Sequence, residues 1–114
     1  MALLKRRLPT LAGDPRAIVI GLTTYDLYIR AYSWQWAFAF RQDNRLAVVS
    51  IARMDPTNWG EPPNPDRLRT RLRKMVSKNL GIMYYGLPES SSRSSVLYGP
   101  ILGLDDLDSI GETF

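Results

Sequence analysis

The chain contains neither cysteine nor histidine. The first absence excludes disulfides, thiolate metal sites and a cysteine nucleophile. The second excludes imidazole ligands, the commonest general base and every Ser-His-Asp arrangement. Nor is there an apolar run near the roughly 20 residues that a membrane-crossing helix needs. Charge of one sign is also scarce. Fifteen basic residues against 11 acidic ones leave a net +4, which permits an anionic partner without requiring one. The start, Met1-Ala2-Leu3-Leu4-Lys5-Arg6-Arg7, places its charges after a very short apolar stretch, the reverse of a secretory signal. A cytoplasmic protein with no membrane association is therefore expected. The 114 residues are 45% hydrophobic, which suits one domain around one core.

What is present divides into a basic N-terminal arm, 1–16, and a single domain, 17–114. Ala17-Ile18-Val19-Ile20-Gly21-Leu22 reads as a buried strand. Between 34 and 40 the residues alternate, with Trp34, Trp36, Phe38 and Phe40 on one face and small or polar residues on the other. Gln42-Asp43-Asn44-Arg45 reads as a turn and 46–53 as a second strand, so 34–53 forms a hairpin. The proline-rich stretch 54–65 is a loop. A central helix is expected over about 65–80, capped by Asn64, with Pro65 in its first turn and Gly81 as its terminator. Its apolar face is Leu68, Leu72, Met75, Val76 and Leu80. Arg67, Arg71, Lys74 and Lys78 form a separate basic stripe beside that face. A serine-rich loop precedes the turn-bearing segment Ser95-Val96-Leu97-Tyr98-Gly99-Pro100. Asp105, Asp106 and Asp108 open a short final helix, where acids suit the positive end of the helix dipole; no EF-hand spacing is present. Asp26 is expected to order a turn.

In this order the elements resemble the archaemetzincin group of zinc metalloproteases. Gly21-Leu22-Thr23-Thr24-Tyr25-Asp26-Leu27-Tyr28 is similar to that family's first-strand motif, and Ala47-Val48-Val49-Ser50-Ile51-Ala52-Arg53 to its small-apolar strand ending Ser-x-x-Arg. The family's zinc helix reads H-E-x-x-H-x-x-G-x-x-H. The same frame here reads Lys74-Met75-Val76-Ser77-Lys78-Asn79-Leu80-Gly81-Ile82-Met83-Tyr84. Lys74, Lys78 and Tyr84 stand at the ligand positions and Met75 at the position of the catalytic glutamate. Leu97 occupies the methionine's place in a segment that resembles the Met-turn. The resemblance implies an α+β, zincin-like fold: a small mixed sheet packed on the central helix, with a short C-terminal helix.

A catalytic zinc needs three protein ligands and an open position for water. A lysine ammonium, with a reference pKa of about 10.4, has no lone pair to offer. Two such cations beside a dication would repel it by roughly a few kcal/mol at 4 Å and an effective dielectric near 20. The expected function is thus that of a metalloprotease homologue with no catalytic residues, no metal and no cofactor: a pseudoprotease that holds a peptide or an anion in the former active-site cleft. Its partner would be an acidic peptide or protein, paired with the 46–53 strand as the cleft's edge. Lys74 and Lys78 are expected to be solvated or paired with carboxylates such as Glu112 or the 105–108 cluster; otherwise they form an anion site with Arg67 and Arg71. The alternative function is a phosphate or nucleic-acid binder that uses this stripe together with Lys5, Arg6 and Arg7. A third reading, a hydrolase with unconventional catalysis, needs Ser77 to work with a neighbouring lysine. Adjacent helix positions point about 100° apart.

Overall fold

The computed structural model describes Arg6, residues 14–27 and residues 36–114. Most of the basic arm at 1–16 lies outside the described residues, as do Tyr28 and Trp34. Three strands, β1 (Val19–Thr23), β2 (Ala39–Gln42) and β3 (Leu46–Ser50), are followed by a short 3-10 turn at Pro56–Trp59. A long helix, α1 (Pro65–Met83), and a short one, α2 (Leu104–Ser109), complete the described elements. The sheet order is β1-β3-β2. β1 runs parallel to β3 and β2 antiparallel to it. The architecture is the α+β arrangement expected, a small mixed sheet with a main helix and a short second one.

The turn between β2 and β3 follows from its residues. Asp43 and Asn44 have φ of 58° and 51°, the positive values that the two central residues of a type I′ turn require; the Arg45 amide closes it by donating to Gln42 O at 3.3 Å. Asp and Asn tolerate that region better than other side chains.

The strand expected at 46–53 differs from the observed one in two ways. It ends at Ser50, because the chain then turns back: the amides of Met54 and Asp55 both donate to Ile51 O. It is also the central strand, not the edge. Leu46, Ala47, Val49 and Ser50 are buried, as befits a strand paired on both sides. Among the described residues the strand on the cleft side of the sheet is β2. The aromatic alternation also breaks. Ala39 pairs with Val49 and packs on the core, which puts Phe40 on the opposite face, where it is 39% exposed. The alternation therefore misassigns Phe40. Phe38 is buried and meets Trp36 edge-on at 4.9 Å.

The helix starts as expected: Asn64 Oδ1 accepts from the Arg67 amide at 3.1 Å, and Pro65 opens the first turn. It ends later than expected, at Met83, with the Tyr84 amide donating to Leu80 O. Gly81 is interior to the helix, and its role is close packing. A Cβ there would lie 2.9 Å from Leu97 Cδ2 and 2.8 Å from Phe114 Cε1. Alanine would gain about 1 kcal/mol of helix propensity against an overpacking cost of about 1–3 kcal/mol. Gly81→Ala is thus expected to lower the chemical-denaturation midpoint; a raised midpoint would refute this packing.

The first-strand and Ser-x-x-Arg segments are joined directly. Arg53 forms a forked ion pair with Asp26, with Nη2–Oδ2 at 2.7 Å. Ser50 Oγ donates to Tyr25 O at 2.6 Å. Asp26 is thus tied to a distant cation, which anchors the turn it was expected to order. The Arg53 guanidinium also lies over the Trp36 and Trp59 rings.

Candidate functional site

The inner face of α1 is broader than its apolar residues suggest: Leu68, Leu72 and Met75 pack in or against the core, and Arg71, Lys74 and Lys78 of the basic stripe are buried beside them. Buried positions on the helix include Arg71, Lys74, Met75, Lys78, Asn79, Gly81 and Met83, whereas Leu80 is 38% exposed. The basic stripe therefore points largely inward. Only Arg67, at the start of the helix, is exposed. Sequence periodicity ranks leucine above lysine for burial, and here the ranking reverses because each buried cation meets oxygen acceptors.

Arg71 forms a bidentate pair with Asp108, Nε–Oδ1 and Nη2–Oδ2 both at 2.8 Å, and its Nη1 donates to Met54 O. The hydrogen bonds from Arg71, and then its charge, hold the Asp108 carboxyl below the usual range. Lys74 Nζ donates to Leu107 O at 3.0 Å and to Asp108 O at 3.2 Å. These carbonyls close the last turn of α2, where a cation is electrostatically favoured. Lys78 Nζ donates to Tyr98 O at 2.8 Å. Neither lysine is solvated or paired with a side-chain carboxylate; both are held by main-chain oxygen. Glu112 pairs instead with Arg73, at 3.2 Å.

Of the remaining motif positions, Met75 is in the core and Tyr84 is 68% exposed, its ring against Tyr85. The structure thus brings Lys74, Met75 and Lys78 to one buried face and leaves Tyr84 outside. The segment expected as a Met-turn lies beneath the helix. Leu97 is buried opposite Gly81, its amide donates to Ser95 Oγ, and its carbonyl accepts from Ser90 N. Asp106 ties the chain entering α2 to its first turn by accepting from the Leu102 amide at 2.9 Å, and it pairs with Arg93 at 3.2 Å. These contacts, the amide first, keep its carboxyl low.

Between β2 and the segment 100–102 runs a groove of about 430 Å³, to which α1 contributes Met75 and Lys78. Trp36 and Phe38 supply aromatic surface, Arg41 a cation and Glu89 a carboxylate. Lys74 is not among the lining residues. Arg41 Nη1 donates to Oδ1 of the fully buried Asn79, whose amide nitrogen in turn donates to Met75 O. Arg41, Asn79 and Glu89 escape sequence reasoning, and Asp108 of the 105–108 cluster pairs with Arg71 where the lysines were the expected partners. Polar residues one turn apart on a helix signal burial only once their partners, nearly 40 positions away in the chain, are known.

Neither a protein-family model nor a curated protein matches the chain. Two solved structures do. A zinc-dependent peptidase from Methanocorpusculum labreanum superposes with a TM-score of 0.77 at 21% identity, over 100% of this chain and 56% of its own. Archaemetzincin from Methanopyrus kandleri superposes with a TM-score of 0.70 at 29% identity, over 96% of this chain and 57% of its own. The chain therefore spans little more than half the length of either. Its class is that of a zincin scaffold, with a mixed sheet over a central helix and a groove between. Within that class the scaffold is archaemetzincin-like.

Such a scaffold implies a zinc site on the central helix, and the donor chemistry here does not fit one. Lys74 and Lys78 direct N–H bonds at carbonyl oxygen, so their nitrogens act as donors where a metal requires lone pairs. Among the described residues no three of Asp and Glu gather closely enough to hold an ion, and the full sequence has no histidine or cysteine to add.

Proposed function

We propose that the chain is a non-catalytic relative of zinc-dependent peptidases whose cleft persists as a binding groove for an extended acidic peptide. The observation that carries this reading is the use of Lys74 and Lys78. Both are buried on the inner face of the helix and both donate to main-chain carbonyls, Lys78 beside the groove and Lys74 at the end of α2. Hydrolysis in this fold class would need ligands and a general base at that face; Met75 has no group to take a proton.

The groove retains what peptide recognition requires. β2 runs along it, and an extended ligand can add to a strand edge through main-chain hydrogen bonds. Arg41 and Lys78 supply positive charge, while Trp36 and Phe38 supply apolar surface. This modifies the role of the basic residues. The peptide's carboxylate is read by Arg41 and Lys78, while Lys74 acts structurally. A phosphate or nucleic-acid site on the stripe has weaker support, because Arg71, Lys74 and Lys78 are buried and bonded within the chain.

Fluorescence anisotropy with a labelled library of acidic peptides tests the reading. Arg41→Ala and Lys78→Gln are each expected to weaken binding about tenfold, the loss of a charge-assisted hydrogen bond of about 1.5 kcal/mol. Absence of any bound peptide, or affinity indifferent to both substitutions, contradicts it.

A further inference from the structure

Three charged side chains line the groove, Arg41, Lys78 and Glu89. None is paired with another. A lysine ammonium offers three N–H donors, and among the described residues Lys78 meets one acceptor, Tyr98 O, although it is only 4% exposed. Arg41 directs Nη1 at Asn79 Oδ1 and keeps further guanidinium donors. Glu89 has neither a hydrogen bond nor an ion pair among the described residues. Its carboxylate packs against Gly99, where a Cβ would collide with it. The ammonium and the carboxylate therefore sit at consecutive residues of one segment, Tyr98 and Gly99, without joining. Burial lowers the Lys78 pKa, Glu89 raises it and Arg41 lowers it, so the three charges lie within reach of one another.

A ligand of one charge does not fit this arrangement. A carboxylate satisfies the unmet donors of Lys78 and Arg41 but is repelled by Glu89. A ligand ammonium beside that carboxylate removes the repulsion and gives Glu89 its missing donor. We propose that the groove reads the free N-terminus of a peptide that begins with aspartate or glutamate. The side-chain carboxylate of that first residue lies on Lys78 and Arg41, and its α-ammonium lies on Glu89. Both charges then belong to one residue, separated by a few bonds, which matches two receptors placed at neighbouring residues of the wall. An internal lysine would bring its ammonium on a long chain with far more rotamer freedom to lose. The second residue of the peptide is apolar. It meets Trp36 and Phe38 on one wall and Leu102, 74% exposed, on the other. From there the chain continues along β2. The inference rests on the reading of the groove as a site for acidic peptides and adds which end of the peptide is held.

The test uses the full chain and three peptides labelled at the C-terminus: one beginning Asp-Phe with a free amine, the same peptide N-acetylated, and a free-amine peptide beginning Asn-Phe. Anisotropy is read at pH 6.5, where an α-amino group of ordinary pKa, about 7.7–8.0, is protonated. Acetylation is expected to weaken binding about tenfold, the scale of one charge-assisted hydrogen bond. In Glu89→Gln the acetylated and free peptides should bind alike, while the Asn-Phe peptide stays weaker in both proteins. Equal binding of the acetylated and free peptides to the unmodified chain overturns the inference, as does a loss on acetylation that persists undiminished in Glu89→Gln. In either case a weaker Asn-Phe peptide leaves the acidic-peptide reading standing. Binding of none of the three, or indifference to Asp against Asn, overturns both.

Discussion

Replacing Arg71 with alanine is expected to destabilise the protein by about 2–3 kcal/mol, below the roughly 3–5 kcal/mol that removing one member of a fully buried ion pair costs. The estimate sits low because the Asp108 side chain is 40% exposed and can rehydrate. Arg71, in contrast, is buried and also serves Met54 O. The reverse substitution, Asp108→Ala, should therefore cost more, since it strands a guanidinium that stays charged at any ordinary pH. Urea denaturation of both variants checks the order; an Asp108→Ala variant milder than Arg71→Ala would show that the guanidinium is better solvated than described.

The same pair sets a pH dependence. The Asp108 carboxyl is held below its ordinary value in the folded state, chiefly by hydrogen bonds from Arg71. A lowered folded pKa means that the unfolded chain binds the proton more readily. The pair's stability is thus fully present above the unfolded carboxylate pKa, about 3.9, and is lost as pH falls through the folded value. The gap between wild type and Arg71→Ala should accordingly be widest near neutrality and narrow in acid. A gap that widens in acid would reverse this sign.

Much of the framework was legible in the sequence. The turn at 42–45 followed from Asp43 and Asn44, the helix start from Asn64 and Pro65, and the acidic opening of the last helix from Asp105 and Asp106. Each is a local signal carried by residues that act on their own backbone. The strand order was not legible, because pairing β1 with β3 joins residues more than 25 positions apart and nothing local specifies it. Hence the mistaken edge at 46–53. Leu68, Leu72 and Met75 do face the core, but the basic stripe beside them was misread for a related reason. Hydrophobic periodicity assigns lysine and arginine to solvent, and Arg71, Lys74 and Lys78 are buried only because Asp108, Leu107 and Tyr98 return from the C-terminal third to meet them. The motif frame identified Lys74 and Lys78 as the residues of interest without revealing what they bond.

Those bonds make metal independence the second large expectation. The segments packed on this face of the helix are held by nitrogen donors on carbonyl oxygen, with Lys74 at the end of α2 and Lys78 at Tyr98. A structural zinc would contribute folding free energy, and its removal would lower the melting temperature. Here a chelator should leave melting unchanged, and added zinc should not raise it.

Elemental analysis of the purified chain, dialysed against zinc-containing buffer and then zinc-free buffer, measures this most directly. Zinc well below one equivalent per chain, with no peptide hydrolysis in a parallel assay, is the predicted result. One tightly held zinc per chain, released by chelator together with loss of peptidase activity, would contradict it and return the site to carboxylates such as Asp105, Asp106 and Asp108.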